Sequence, residues 1–528
     1  MENNNENISP SDIQGESYPM FVENGETQKG VDNSFFLKAK LIDISTGKDW
    51  VVILNNADSK RFGILPGDEL KLSWKNKITE VGIDLSNELV RTQEVGILKD
   101  ISNKYGIKEG DLLKFTYANR APSLQAIYKK LFRKKLDYKE IFSIVNDIIN
   151  HRLNDIELAF FIASAFDESN FSDEELYFLT KAIAQTGDMM KFDKITADKH
   201  STGGLPGNRV TPIIVSIIAS LGICIPKTSS RSITSAAGTA DAVETVMKVK
   251  FGTKEIYEIV KKNKGCLVWG GALKLAPADD FFIHITYNLG IEPFSKLVVS
   301  VMAKKVAMGV THLVIDIPVA RTAKIPDMET AEKIKKIFVK IAEEFNIKTE
   351  VVISQTCGPV GKGIGPALEM RDVMRVLQQK ENRPMDLEDK AVKLSGALLE
   401  LTGKVSRGLG GKKARESLTS GLAARKMKDI MESQGGNPSL DSELIHIGEF
   451  KHEVVAENSG EIKFINNNNL VEVCRILGTP DFKESGVYLN KSVGEKYVKG
   501  NILFTLYSES EQRLNSAIDV LGRLSIYK

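Results

Sequence analysis

Alternation of apolar and polar positions marks the first readable part of the chain, and helical spacing takes over from it. Over 37–44, 50–54 and 90–98, branched and aromatic residues recur with the period of a strand. Within this region a segment repeats: Phe62-Gly63-Ile64-Leu65-Pro66-Gly67-Asp68-Glu69-Leu70-Lys71-Leu72 returns as Tyr105-Gly106-Ile107-Lys108-Glu109-Gly110-Asp111-Leu112-Leu113-Lys114-Phe115. Each copy reads as a Gly-Asp turn entering an alternating strand. Two such units predict a small pseudo-twofold barrel of the double-psi type, read as an oligomerisation or docking module in preference to a substrate lid. From 123 to 190 the step changes to three and four, through Leu124, Ile127, Leu131, Ile141, Ile144, Val145, Ile148 and Ile149. Ser172, followed by Asp173, Glu174 and Glu175, reads as a helix N-terminus with an N-cap hydroxyl and acids in the first turn.

Beyond about residue 193 the pattern alternates between helix and strand. The apolar run 210–225 predicts a buried helix, followed by a short strand, a loop and another helix. The alternation resumes with a strand over 313–317, a helix over 329–345 and a strand over 350–353. A glycine-rich loop, 358–366, precedes Pro366 in a first-turn position, and it lacks the Lys-Ser/Thr end of a nucleotide P-loop. Its expected role is close backbone packing beside the cleft or a neighbouring chain. In the last stretch, Val455, Ile462 and Phe464 fall in strand-like pieces, with a short helix over 471–477 and a strand over 502–506. The expected organisation is disorder over 1–33, where Asn, Glu, Gly and Ser crowd out aliphatics; a β barrel over 34–118; a helical lobe over 119–192 joined by part of 275–310; an α/β lobe over 193–440; and a C-terminal α+β domain over 441–528.

Length and composition narrow this picture. At 528 residues the chain exceeds one core, and 42% hydrophobic with 27% charged residues is an ordinary globular balance. A formal net charge of +2 gives no reason to expect nucleic acid or an anionic membrane as partner. Cys224, Cys266, Cys357 and Cys474 form no CxxC pair, which fits a reduced cytoplasm, and no apolar leader opens the chain. The run 210–225 falls short of the ~20 residues a membrane span needs.

Candidate chemistry gathers between Asp198 and Glu244, where two loops flank the apolar run. Lys199 supplies a cation; Ser201, Thr202, Ser229, Ser230 and Thr239 supply hydroxyls; Gly203, Gly204 and Gly238 let backbone N–H groups approach a ligand. Such donors suit an anion, and inorganic phosphate is the natural guest.

Lys199-His200-Ser201-Thr202-Gly203-Gly204, Ser229-x-Arg231 and Gly238-Thr239-x-Asp241-x-x-Glu244 together resemble the signature of the thymidine phosphorylase/AMP phosphorylase family. The likeness extends through Pro277-Ala278-Asp279 and Ser300-Val301-Met302-Ala303-Lys304-Lys305, covering roughly 122–528, and is closest to the long form with an extra N-terminal domain. It implies an α/β, two-lobed nucleoside phosphorylase fold and a base–sugar bond broken by phosphate through an oxocarbenium-like transition state. Catalysis is then chiefly positioning and electrostatic stabilisation. On the resemblance, Lys199 and His200 are the catalytic pair. Lys199, Ser201, Ser229 and Thr239 hold phosphate beside Gly203 and Gly204, with Thr211 a substitute where Pro212 replaces a family serine.

His200 would hydrogen-bond or protonate the leaving base. Ser300 and Lys304, four apart on one helix face, would read a base edge together, with Lys304 turned inward in preference to Lys305. Thr202 matches the thymidine enzymes. The inserted Leu205, Pro206 and Arg209 belong to the substrate side and are a feature of the AMP-type members, whose 5′-phosphate calls for a cation such as Arg209. Residues 280–285 contain no arginine, although thymidine enzymes place one there. The expectation is phosphorolysis of pyrimidine nucleosides, thymidine first, with AMP as the alternative. Phosphate is a co-substrate, no metal or organic cofactor is expected, and the partners are a small nucleoside or nucleotide and further copies of the chain in a homodimer or larger. The rival readings are a phosphoribosyltransferase, which would need pyrophosphate and magnesium, and a binding module without turnover.

Overall fold

The computed structural model describes residues 34–527 apart from 47–49, 118–120, 167–169, 233–234 and 292, so the expected disorder over 1–33 lies outside the described residues. The chain divides into two compact units, Met1–Arg120 and Ala121–Lys528.

The first unit holds β1 (Phe35–Ile42), β2 (Val51–Leu54), α1 (Asn56–Phe62), β3 (Glu69–Trp74), β4 (Lys77–Leu85), β5 (Glu94–Leu98), α2 (Lys99–Tyr105) and β6 (Leu112–Tyr117). Its six strands close into a barrel in the order β1-β5-β2-β4-β3-β6 around Leu37, Leu54, Leu70, Val95, Leu113 and Phe115. The sequence repeat is a structural one. Gly63 and Gly106 end α1 and α2 in the left-handed region, and the Asp68 and Asp111 carboxylates each accept from a backbone N–H three residues back, that of Leu65 and of Lys108, at 2.7 Å in both copies. The alternation missed the two short helices, because seven residues give too few turns to show a period. The strand expected over 90–98 begins only at Glu94, after Gln93 turns the chain at φ 65°.

The second unit opens with α3 (Leu124–Leu131), α4 (Tyr138–Ile149), α5 (Asp155–Ala165) and α6 (Asp173–Gln185). Helices α4, α5 and α6 each start in a capping box, and at α6 it is Ser172 with Glu175. There follow β7 (Ala197–Ser201), α7 (Val210–Ser220), β8 (Ile225–Ser229), α8 (Thr239–Val243), α9 (Thr253–Asn263), β9 (Gly265–Trp269), α10 (Pro277–Leu289), α11 (Phe294–Ala307), β10 (His312–Val319), α12 (Met328–Glu344), β11 (Lys348–Gln355), β12 (Gly363–Ile364), α13 (Pro366–Leu377), α14 (Met385–Leu401), α15 (Gly410–Thr419) and α16 (Leu422–Ser433). The unit ends with β13 (Phe450–Val455), β14 (Gly460–Glu461), α17 (Asn467–Leu477), β15 (Gly486–Leu489), β16 (Lys496–Tyr497), β17 (Ile502–Ser508) and α18 (Glu511–Leu521). The chain has a mixed α/β fold.

Strands β11, β10 and β7 are parallel, and a parallel bridge from Thr196 to Cys224 sets the β8-β9 pair beside β7. Every residue of β10 is buried, as a parallel strand covered on both faces requires. Leu313, Ile315 and Ile317 face a core shared with α4, α6, α10, α11 and α12, whereas Val314 faces one built from α7, α13, α14 and α16. The apolar run 210–225 is not one helix. It breaks at Gly222, which sits at φ 82°, and Ile225 already belongs to β8. The stretch after 441 joins a sheet ordered β12-β15-β17-β13, so the glycine-rich loop contributes a strand to it.

Candidate active site

Strand β7 sorts the candidate residues by alternation. Lys199 and Ser201 stand beside Val314 and Asp316 of β10 in register, on the face toward α7 and α14; Asp198 and His200 take the opposite face, toward α11. The parallel arrangement brings the carboxyl ends of β7, β8 and β10 together, where ligands of open α/β sheets are held.

On the first face four donors converge on a single oxygen. Oδ2 of Asp316 accepts from Ser201 Oγ at 2.9 Å and from Asn208 Nδ2 at 3.2 Å, and lies 3.2 Å from Lys390 Nζ and 3.8 Å from Lys199 Nζ. Asp316 is fully buried and Lys199 is 1% exposed. Burial pushes the Asp316 carboxyl up, but Lys199 and Lys390 outweigh it and hold it below the usual carboxylate range. Burial pulls Lys199 down to about 8, against Asp316 and with the repulsion of Lys390 and Arg209. Thr202 is buried beyond this carboxylate; its N–H donates to the Asp316 carbonyl at 3.0 Å and its hydroxyl has no partner among the described residues.

The loop after Ser201 turns through Gly203 and Gly204, both near φ 80°, and a Cβ on Gly204 would meet the Lys324 backbone at 2.5 Å. Leu205 and Pro206, expected on the substrate side, are buried instead: Leu205 joins the α7/α14 core and the Pro206 carbonyl accepts from Val360 N–H at 3.2 Å. The glycine-rich loop therefore packs on the first anion loop. Its own amides are held by carboxylates, Lys362 and Gly363 by Asp372 and Gly361 by Asp386.

Arg209 corrects another expectation. Its Nε donates to Glu369 at 2.7 Å, Nη1 to the Thr239 hydroxyl at 2.6 Å and Nη2 to the Ala237 carbonyl at 2.8 Å. The guanidinium ties α13 and the second loop to the first, and its charge is met by buried Glu369. It is a brace of the site, not an open cation awaiting a substrate phosphate. Thr211 is buried in the first turn of α7. Ser229 ends β8 with a buried hydroxyl that has no partner among the described residues, an open donor where the loops meet. The second loop is braced by Asp241, which accepts from Ser232 N and Gly238 N, and by Arg231, which bridges Asp241 and Glu244.

On the opposite face Asp198 lies between Lys227 Nζ at 3.1 Å and Lys305 Nζ at 2.6 Å, all buried. Lys305 is the more deeply buried of the two lysines, with a side chain 2% exposed against 34% for Lys304, which itself reaches buried Asp279. Burial pulls Lys305 down to about 7. His200, half-buried above this group, is held well below its ordinary value by burial and then by Lys305, Lys227, Lys199 and Lys304. A neutral imidazole offers a hydrogen bond but carries no spare proton, so the expected protonation of the leaving base by His200 lacks support. Ser300 and Lys304 do share a target, which is a protein group. Both donate to Asp279 Oδ2 at 2.6 Å, at the start of α10.

The sequence reading missed Asp198, Lys227, Asp316 and Lys390. Each had a signal. Asp316 interrupts an otherwise apolar strand, and Lys390 falls on the helix stripe of Leu387, Ala391 and Leu394. A charge on an apolar face needs a buried partner.

Residues 193–424 match the glycosyl transferase family a/b domain. An AMP phosphorylase of Methanocaldococcus jannaschii is 38% identical over 483 residues, 92% of this chain and 95% of that protein. One from Pyrococcus furiosus is 39% identical over 493 residues, 93% of this chain and 97% of that protein. Among solved structures, anthranilate phosphoribosyltransferase from Thermus thermophilus aligns at a TM-score of 0.49 and 16% identity, covering 59% of this chain and 99% of that one. The expectation of thymidine as first substrate is overturned by these near full-length relatives, which are AMP phosphorylases. Thr202, which pointed to thymidine, is buried against Asp316.

Proposed function

The chain belongs to the thymidine/AMP phosphorylase family and is a pentosyltransferase, and from that premise we propose that it cleaves AMP with inorganic phosphate, giving adenine and ribose 1,5-bisphosphate. The observation that carries this reading is identity of 38–40% to AMP phosphorylases across more than nine-tenths of their length. The absence of arginine from 280–285 agrees with it.

The charge inventory supports an anion here. On the face that carries Ser201, Lys199 and Lys390 share Asp316, so two buried or nearly buried lysines face one aspartate. A phosphate of roughly −1.5 to −2 charge would meet that excess. In this reading Lys199, Ser201, Ser229 and Thr239 hold the attacking phosphate, with Gly203 and Gly204 allowing its approach. Lys199 supplies the charge that orients and stabilises it in line with the base–sugar bond. His200, neutral, hydrogen-bonds on the nucleotide side, and Ser300 and Lys304, oriented by Asp279, flank the base. Phosphate enters as a co-substrate and the scheme calls for no cofactor. The barrel reads as a double-psi module attached to a two-lobed phosphorylase core, and association into a homodimer or larger belongs to the same reading. A panel of AMP, thymidine and uridine, each at saturating phosphate, tests it: turnover of AMP should dominate, and turnover of thymidine above AMP would refute it.

A further inference from the structure

A hydroxyl has one proton to give. Ser201 donates it to Asp316, and its lone pairs face the Gly203 N–H at 3.4 Å, so in this state Ser201 has no proton for an incoming phosphate. Lys199 leans on the same carboxylate oxygen. Two of the four side chains that the proposed function gives to phosphate are therefore engaged by an anion belonging to the protein.

We infer that Asp316 is a resident stand-in for phosphate, and that Lys390 is the positioning residue that keeps Asp316 compensated when Ser201 and Lys199 turn to the ligand. Lys390 comes from α14, outside both anion loops, with a side chain 12% exposed and Nζ 3.2 Å from Oδ2. Asn208, the remaining donor to Oδ2, is neutral. Without Lys390 the fully buried Asp316 has one cation among the described residues, Lys199, and releasing it to phosphate would leave a buried charge unpaired. With Lys390 present the exchange is close to balanced. The charged groups acting on Lys199 are Asp316 from β10, Lys390 from α14, Arg209 at the start of α7 and, from the opposite face of its own strand, Asp198. Lys390 repels the Lys199 proton, so its removal should move the titration of Lys199 upward.

The inference rests on the phosphorolysis reading only for the identity of the anion, and its test uses phosphate alone. Inorganic phosphate is titrated calorimetrically into the full chain and into its Lys390→Met, Lys390→Gln and Lys390→Arg variants, without nucleotide, from pH 6.5 to 9.5. Affinity should fall at least about tenfold in Lys390→Met and less in Lys390→Gln, while Lys390→Arg stays within about threefold. The pH at which binding weakens, near 8 in the parent, should rise in Lys390→Gln. The glutamine variant retains a donor to Asp316 and carries the test if the methionine variant does not fold. Phosphate affinity within about twofold of the parent in a folded Lys390→Gln or Lys390→Met, or an unmoved pH break, overturns the inference. A parent that binds no phosphate overturns it together with phosphorolysis. A parent that binds phosphate through Lys390 and leaves AMP intact refutes only the AMP reading.

Discussion

Lys199 carries the electrostatic argument for phosphate at the level of single residues. Held near 8 in the folded chain against an ordinary 10.5, it loses its charge in the range where the enzyme would be assayed. Between those values the unfolded chain binds more protons, so this residue's contribution to stability rises with pH across that window. Phosphate reverses the effect by favouring the charged amine. Binding at pH 8 should therefore take up protons, seen as a dependence of the binding enthalpy on buffer ionisation heat; no net uptake would place the anion elsewhere. Lys199→Met should raise the phosphate KM by about tenfold to a hundredfold, matching the loss of a charge-assisted bond, and raise the AMP KM much less. Lys199 and His200 were candidates from the motif, but the strand that turns them to opposite faces was not legible, because these residues read as part of a loop. The partners of Lys199 were not, since Asp316 and Lys390 lie more than a hundred residues along the chain and only folding brings them near.

At the scale of elements, several expected strands and helices of the second unit agree with the structure to within a few residues: β10 spans the strand expected over 313–317 and α12 nearly coincides with the helix over 329–345, whereas the run 210–225 divides between α7 and β8, and Ile462 and Phe464 fall outside the strands. Sustained periodicity and burial on both faces leave a strong trace in sequence. Cross-element ties leave almost none, and Arg209 is the instructive case. A basic residue in an inserted loop reads as solvent-facing or ligand-facing, whereas here it joins the first loop, the second loop and α13 through Thr239, Ala237 and Glu369. Arg209→Lys keeps the charge but not the fork that meets three partners at once. The variant should raise the phosphate KM severalfold by loosening Thr239, with a smaller effect on AMP. Arg209→Ala should in addition lower the unfolding free energy by about 1–3 kcal/mol, because the Glu369 carboxyl, which burial already pushes up, loses its partner and must take up a proton. Denaturant melts and steady-state kinetics check both. A selective rise in the AMP KM with phosphate unaffected would instead return Arg209 to the nucleotide.

For the whole molecule, the division at residue 120 separates a barrel with its own core from a unit that contains every candidate site residue. The repeat that built the barrel was visible because its turn chemistry recurs residue for residue. Removing residues 1–120 should leave a folded, cooperatively melting chain that retains turnover, with any change appearing in assembly size by light scattering. A soluble, correctly assembled but inactive remainder would mean that the barrel completes the site. The substrate was the least legible feature, since motifs shared across the family describe the phosphate and base sides in common, and of two residues used to discriminate, Thr202 is buried and Arg209 is engaged inside the protein. The central claim rests on one comparison, kcat/KM for AMP against thymidine at saturating phosphate, with adenine and ribose 1,5-bisphosphate identified as products. AMP should be preferred by at least about a hundredfold, a difference of about 2.7 kcal/mol in transition-state stabilisation; equal or greater efficiency with thymidine, or adenine release without phosphate consumption, would contradict it.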